Sequence, residues 1–206
     1  MGNFRAIGAT ALLCLAATFG TPAAAEYRGP SMVIGTKTTR PIGHEVFCRS
    51  HEAECRPLES RVADRALELT PAIIIAVAAI NTAINAEITP KSDKDIYGVK
   101  ELWTYPETEG DCEDFALLKR RMLHEKVGID LSDLLMTVVR KRNGEGHAIL
   151  TLRTTAGDFV LDNLNWRVLP WSDAPYRFLK RQDTRDPGQW VRVEDGGEVL
   201  VGAVKK

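Results

Sequence analysis

The chain has 206 residues, 44% hydrophobic and 27% charged, which is enough apolar material for one packed core and excludes a disordered or collagen-like chain. Its formal net charge is −1, with no basic block and no interleaving of arginine with aromatic residues, so nucleic acid is excluded as an expected partner. The sequence holds no internal repeat, low-complexity tract or second long apolar span.

Residues 1–25 read as a cleavable signal peptide. Arg5 precedes an apolar run from Ala6 to Gly20, and Ala23-Ala24-Ala25 supplies the small residues of a cleavage site. The run is short for a membrane span, although the thin positive region leaves an uncleaved anchor open. The expectation is an exported, periplasmic protein whose residues 26–206 form a single domain.

From Glu26 to Gly43 the chain is rich in Gly, Pro and Thr and reads as an extended arm or loop. A compact Cys48–Cys55 loop follows. Cleavage of the leader removes Cys14, leaving Cys48, Cys55 and Cys112. In an oxidising compartment Cys48 and Cys55 are close enough in sequence to pair as a disulfide. His44, Cys48, His51 and Cys55 also match a tetrahedral zinc pattern, and export favours the disulfide over it. Cys112 is then the odd thiol.

Arg61 to Leu69 has helical character up to Pro71. Thr70 as N-cap and Pro71 at the first helical position start a new helix, with Ile73, Val77, Ile80 and Ile84 as its core stripe through about Glu87. Asn81 and Asn85, one turn apart, read as a polar margin or structural hydrogen-bond pair. Ile88 to Glu109 reads as a loop with Trp103 and Tyr105 as packing anchors. Gly110-Asp111-Cys112-Glu113-Asp114-Phe115 then opens a helix running to about Val127 and closed by Gly128, its apolar face marked by Phe115, Leu118, Met122 and Leu123. Asp111 suits the N-cap and Asp114 a capping-box partner. Cys112 in the first turn would be stabilised as a thiolate by unpaired backbone N–H groups and the helix dipole, which is how a protein activates a cysteine.

The period then changes to two. Leu134–Arg140, His147–Arg153 and Phe159–Leu164 read as an antiparallel meander, with shorter strand candidates at Arg167–Leu169, Trp190–Val193 and Val199–Val204. Helices first and strands after make the class α+β. A turn centred on Thr155-Ala156 would pair Arg153 with Asp158 and Ile149 with Asp162. His147 would then be a diagonal neighbour of Asp162, roughly 7–8 Å away at the backbone. A helix packed across that strand pair would bring Cys112 to the imidazole, giving a nucleophile, a base and an orienting carboxylate.

Three motifs together, Gly110-Asp111-Cys112-Glu113-Asp114-Phe115-Ala116, Gly146-His147-Ala148-Ile149-Leu150 and Val160-Leu161-Asp162-Asn163-Leu164, resemble the bacterial transglutaminase-like cysteine peptidase family, whose best-understood members are LapG-type periplasmic proteases. The resemblance runs from the Cys48/Cys55 segment to about Trp171. It implies a papain-like or transglutaminase-like core, with N-terminal helices, the nucleophile helix among them, packed on an antiparallel sheet. It also implies a Cys112–His147–Asp162 triad forming a thioester acyl-enzyme. LapG-type members bind calcium beside the nucleophile, which here implies Asp111 and Glu113 as ligands, with Asp114 as a contributor; helix capping is the competing use of these acids. No organic cofactor is expected. The resemblance further implies a protein substrate such as a surface adhesin, and control by an inner-membrane receptor. Acyl transfer to an amine, an idle calcium-binding module and a zinc-built structural protein are the rival readings.

Overall fold

The computed structural model describes residues 28–58 and 65–194. The expected leader, residues 59–64 and the strand candidate at Val199–Val204 lie outside them. Strand β1 (Val33–Thr38) and helix α1 (Ile42–Ser50) come first, followed by a single 3-10 turn at Glu52–Glu54. The arm expected from Glu26 to Gly43 is therefore an edge strand for part of its length, and the Cys48–Cys55 segment is helical before it loops. In the span expected to be helical up to Leu69, the described residues 65–69 are not helical; Leu67 bridges Thr154 in parallel instead.

Helix α2 (Pro71–Glu87) starts as its sequence dictates, with Thr70 Oγ1 accepting the Ile73 N–H at 3.3 Å and Pro71 at the first position. A side-chain cap of this kind contributes about 1 kcal/mol. The segment read as a loop, Ile88 to Glu109, holds a two-residue strand β2 (Thr89–Pro90) and a short helix α3 (Asp93–Tyr97), and strand β3 (Glu109–Gly110) overlaps its end. Ser92 caps α3 and Gly98, at φ 72°, closes it, so the signal was present but short. Strands β2 and β3 pair in parallel. Helix α4 (Cys112–Met122) continues through one widened π turn to Val127, where Gly128 takes φ 78°.

Six strands follow: β4 (Leu134–Arg140), β5 (Gly146–Thr154), β6 (Gly157–Asp162), β7 (Asn165–Pro170), β8 (Arg177–Gln182) and β9 (Trp190–Glu194). With β1 they form one antiparallel sheet in the order β1-β9-β8-β4-β5-β6-β7. The architecture is α+β, as its sequence order implies. Strand β6 ends two residues earlier than expected because Asn163 and Leu164 make the turn into β7. Strand β8 was not anticipated: its sequence, Arg-Phe-Leu-Lys-Arg-Gln, lacks an apolar alternation, yet it lies between β4 and β9. Its buried Arg181 is held by Asp158 at 3.3 Å.

Alternation along the central strands divides the core. Leu134, Met136, Leu150, Leu152, Phe159 and Leu161 face the helices, packing with Ala116 and Leu117 of α4. Ile149, Val160 and Val139 face the other side, against Met32, Trp171 and Phe178. Each such side chain contributes about 1.5–3 kcal/mol on burial. The arm before β1 crosses this second face, where Asp158 N–H reaches Pro30 O and Gly29 N–H reaches Ala156 O. Gly157 is required there: at φ 112°, a Cβ would lie 2.1 Å from Gly29 O.

Candidate active site

Cys112 is the first residue of α4, and three contacts fix that helix. Arg120 is buried and donates to Leu134 O at 3.0 Å and to Glu54 Oε2 at 3.1 Å, and Tyr105 O–H donates to the other oxygen of Glu54. Helix α4 is thereby joined to strand β4 and to the segment holding Cys48 and Cys55. The thiol Sγ donates to Glu113 Oε2 at 3.1 Å and accepts the Ala148 N–H at 3.3 Å. The helix end alone does not set its acidity. Burial, then the Glu113 charge, pushes the thiol well above its ordinary value, against the Ala148 N–H.

Ala148 follows His147 on β5. The observed pairing of Arg153 with Asp158 and Leu150 with Leu161 is the register that sets Ile149 opposite Asp162. His147 Nε2 and Asp162 Oδ1 are 2.8 Å apart, both residues buried. Tyr176 O–H donates to Asp162 Oδ2, and the Leu164 N–H donates to Oδ1 at 3.0 Å. Burial works to raise the Asp162 carboxyl, but His147, Tyr176 and the Leu164 N–H together hold it below the usual range. Behind it, Asn85 Nδ2 donates to Asp162 O at 2.9 Å, and Asn81 Nδ2 to Asn165 O and Trp166 O at 3.1 Å each. The two asparagines are thus structural donors that lock the β6–β7 turn to α2. Sequence reasoning missed Tyr176, which no local pattern marks.

Cys112 and His147 line one cleft of about 420 Å³ together with Glu101, Trp103, Glu113 and Lys180. His147 and Asp162 form a pair, and Cys112 lines the same cleft as His147 with its thiol turned to Glu113 and Ala148.

Of the acids around Cys112, Asp114 reaches back to the Asp111 backbone as a capping-box partner does, but the Asp111 side chain does not cap the helix. Asp111 is the N-cap residue but makes no side-chain cap; its Oδ2 accepts the Asp93 N–H at 3.3 Å. Asp114 Oδ1 accepts the Thr104 N–H at 2.9 Å. Asp93, Asp111 and Asp114 each offer a carboxylate oxygen within 4.8 Å of the other two. Asp93 Oδ1, Asp111 Oδ1, Glu113 Oε1 and Asp114 Oδ2 are buried without a hydrogen-bond partner. Burial and neighbouring carboxylates push Asp114 up to about 7 and Glu113 up to about 9. Unpartnered hard oxygens crowded with like charge fit a calcium-type cation. Asp93, which the sequence reading did not single out, joins the group, while Glu113 turns one oxygen to the thiol.

Cys48 and Cys55 form a disulfide. His44 lies against it, with Nδ1 3.6 Å from Cys48 Sγ, and accepts the Trp190 indole N–H on the same nitrogen at 3.2 Å. Burial, then Arg40 and Arg120, pushes His44 down to about 3, so it is neutral. His51 stacks on Phe47 at 4.2 Å. These four residues therefore form a covalent and aromatic cluster, and the zinc arrangement is not the one adopted.

The family model of bacterial transglutaminase-like cysteine proteinases (BTLCP) matches residues 34–198. Among solved structures, calcium-bound Legionella pneumophila LapG is similar at 23% identity and a TM-score of 0.50, over 65% of this chain and 77% of that one. A second Legionella pneumophila LapG structure is similar at 24% identity and a TM-score of 0.50, over 60% of this chain and 71% of that one. No curated protein matches the chain by sequence.

Proposed function

This chain belongs to the bacterial transglutaminase-like cysteine proteinases, with their α+β, papain-like core, and on that footing we propose that it is a periplasmic endopeptidase using Cys112, His147 and Asp162. The observation that carries the reading is the buried His147–Asp162 pair at 2.8 Å, in the wall of the cleft that Cys112 also lines.

Asp162 accepts a proton-bearing Nε2, so His147 presents Nδ1 as the base. His147 takes the Cys112 proton as sulfur attacks the substrate carbonyl carbon and its π electrons move to oxygen. The backbone N–H of Cys112, at the start of α4 where helical N–H groups have no intrahelical partner, is positioned to meet that oxyanion. Collapse breaks the C–N bond, and the imidazolium returns the proton to the leaving amine. Water, deprotonated by His147, then hydrolyses the thioester. Tyr176 and Asn85 hold Asp162 throughout.

Asp93, Asp111 and Asp114 would hold calcium, with Glu113 beside them. Bound there, the ion supplies positive charge that relieves the repulsion among the carboxylates and inverts the electrostatics felt by the thiol. Export through residues 1–25 supports a substrate among exported or cell-surface proteins, an adhesin being the leading candidate. The test is cleavage of a peptide library with calcium present. The wild type should cut it, and Cys112→Ala, His147→Ala and Asp162→Asn should not. Ligation of an added amine in place of cutting would assign acyl transfer instead, and no acyl-enzyme with any peptide would assign an idle calcium module.

A further inference from the structure

A second cavity, of about 430 Å³, is lined by Arg140, Lys141, Arg142, Gly144, Tyr176 and Arg177 among others, with no carboxylate in its lining. It has no part in the chemistry above. Arg140 and Arg177 are direct cross-strand partners on β4 and β8, an arrangement in which like charges repel. Arg140 reaches only a carbonyl, Gly144 O at 3.4 Å. Lys141 is taken by Glu145 at 2.6 Å. Among the described residues, Arg142 and Arg177 have no carboxylate partner, and both are exposed. The ordinary role of such a surface is solvation, but this one reaches the His147–Asp162 pair through Tyr176. Tyr176 lines the cavity, its ring lies 5.5 Å from the His147 ring, and its hydroxyl holds Asp162. Arg140 pairs with Gly146, the residue before His147.

Resting on the endopeptidase reading, we propose that this cavity is a subsite for an acidic side chain on the leaving-group side of the scissile bond. The direction follows from the chemistry. The imidazolium must protonate the leaving amine, so the released segment passes His147, and Tyr176 of the cavity stands against that ring. An extended chain advances about 3.3 Å per residue and the Tyr176 ring is 5.5 Å from that of His147, so we place the acidic residue within about three positions after the cut. Three guanidinium groups suit one carboxylate, since arginine engages it bidentately.

The experiment is cleavage-site profiling of a proteome-derived peptide library by the calcium-loaded protein and by the Arg142→Glu/Arg177→Glu double variant, with new N-termini read by mass spectrometry. The wild type should enrich Asp and Glu in the first three positions after the cut. The variant should lose that enrichment by roughly tenfold and turn toward Lys and Arg, because reversing charges at an interface reverses its complementarity. Cuts without acidic enrichment, or with enrichment unaltered in the variant, would overturn the subsite and leave the endopeptidase reading intact. No cut at all would sink the endopeptidase reading. The cavity is then judged by fluorescence anisotropy of a fluorescein-labelled Gly/Glu octapeptide on Cys112→Ala. Binding weakened roughly tenfold by the double reversal supports it, and equal binding overturns it.

Discussion

The Tyr176 hydroxyl donates to Asp162 Oδ2, while His147 engages Oδ1, so both oxygens of the buried carboxylate are held from separate strands and loops. Removing the hydroxyl in Tyr176→Phe leaves Oδ2 without that donor. The variant should lose about 1–3 kcal/mol at pH 7, read from urea midpoints. The sign with pH is fixed by the lowered carboxyl of Asp162. Its contribution is present above the unfolded carboxylate value and is lost as pH falls through the depressed folded one. In Tyr176→Phe the folded value rises toward the ordinary one, so less of the acid-side stability loss belongs to Asp162, and the gap between the two proteins should close as pH falls below the ordinary carboxylate range. A constant gap at all pH would contradict this.

Lys119 is buried one helical turn from Phe115 on the same face, and its Nζ has no hydrogen-bond partner. Burial pushes it down to about 7, against the attraction of Asp162. A lysine depressed on folding costs stability that is fully present below the folded value and relieved as pH rises toward the unfolded value of about 10.4. Lys119→Met should therefore stabilise the protein by a few kcal/mol near pH 6, with the advantage shrinking between about pH 7 and pH 10. Thermal melts across that range decide it, and an advantage that grows with pH would overturn the reading.

Calcium should raise the melting temperature in proportion to the logarithm of its concentration, with EGTA reversing the gain, because a ligand that binds only the folded state stabilises it by mass action. Asp93→Asn and Asp114→Asn should abolish the gain. Without calcium the same variants should be no less stable than the wild type, since they relieve like-charge repulsion among buried acids. A calcium response surviving in both variants would move the ion elsewhere.

Much of the framework around this cleft was legible in the sequence. Thr70-Pro71 and Gly128 bounded two helices through cap chemistry that acts locally. The turn at Thr155-Ala156 fixed a register, and register alone carried His147 to Asp162. What escaped was long-range or compensated. Strand β8 is polar because Asp158 and Gln182's own partners satisfy it from other strands. Tyr176 reaches Asp162 from a loop with no period, and Asp93 joins Asp111 only because Leu102 and the β2–β3 pair fold the intervening segment back. Capping by the Asp111 side chain was misjudged for the same reason: the Asp93 N–H of α3 takes its oxygen, while Asp114 keeps the backbone of Asp111 alongside the Thr104 N–H.

The Cys48–Cys55 disulfide closes a short loop, and on the chain-entropy model its loss costs about 2–3 kcal/mol. Cys48→Ser/Cys55→Ser should show that loss, together with altered Trp190 fluorescence, since His44 lies between the disulfide and the Trp190 indole. Unchanged stability would mean that the aromatic cluster holds this corner by itself.

The most direct test of the central claim is the alkylation rate of Cys112 by iodoacetamide across pH, followed by peptide mass spectrometry, with calcium or EGTA. In EGTA the thiol should resist modification at neutral pH, because burial above all holds it protonated. With calcium, Cys112 should react rapidly near pH 6–7, and His147→Ala should abolish that rate, as expected of a thiolate paired with an imidazolium. Reaction only above about pH 8.5, indifferent to both calcium and His147, would identify an ordinary thiol and contradict the account.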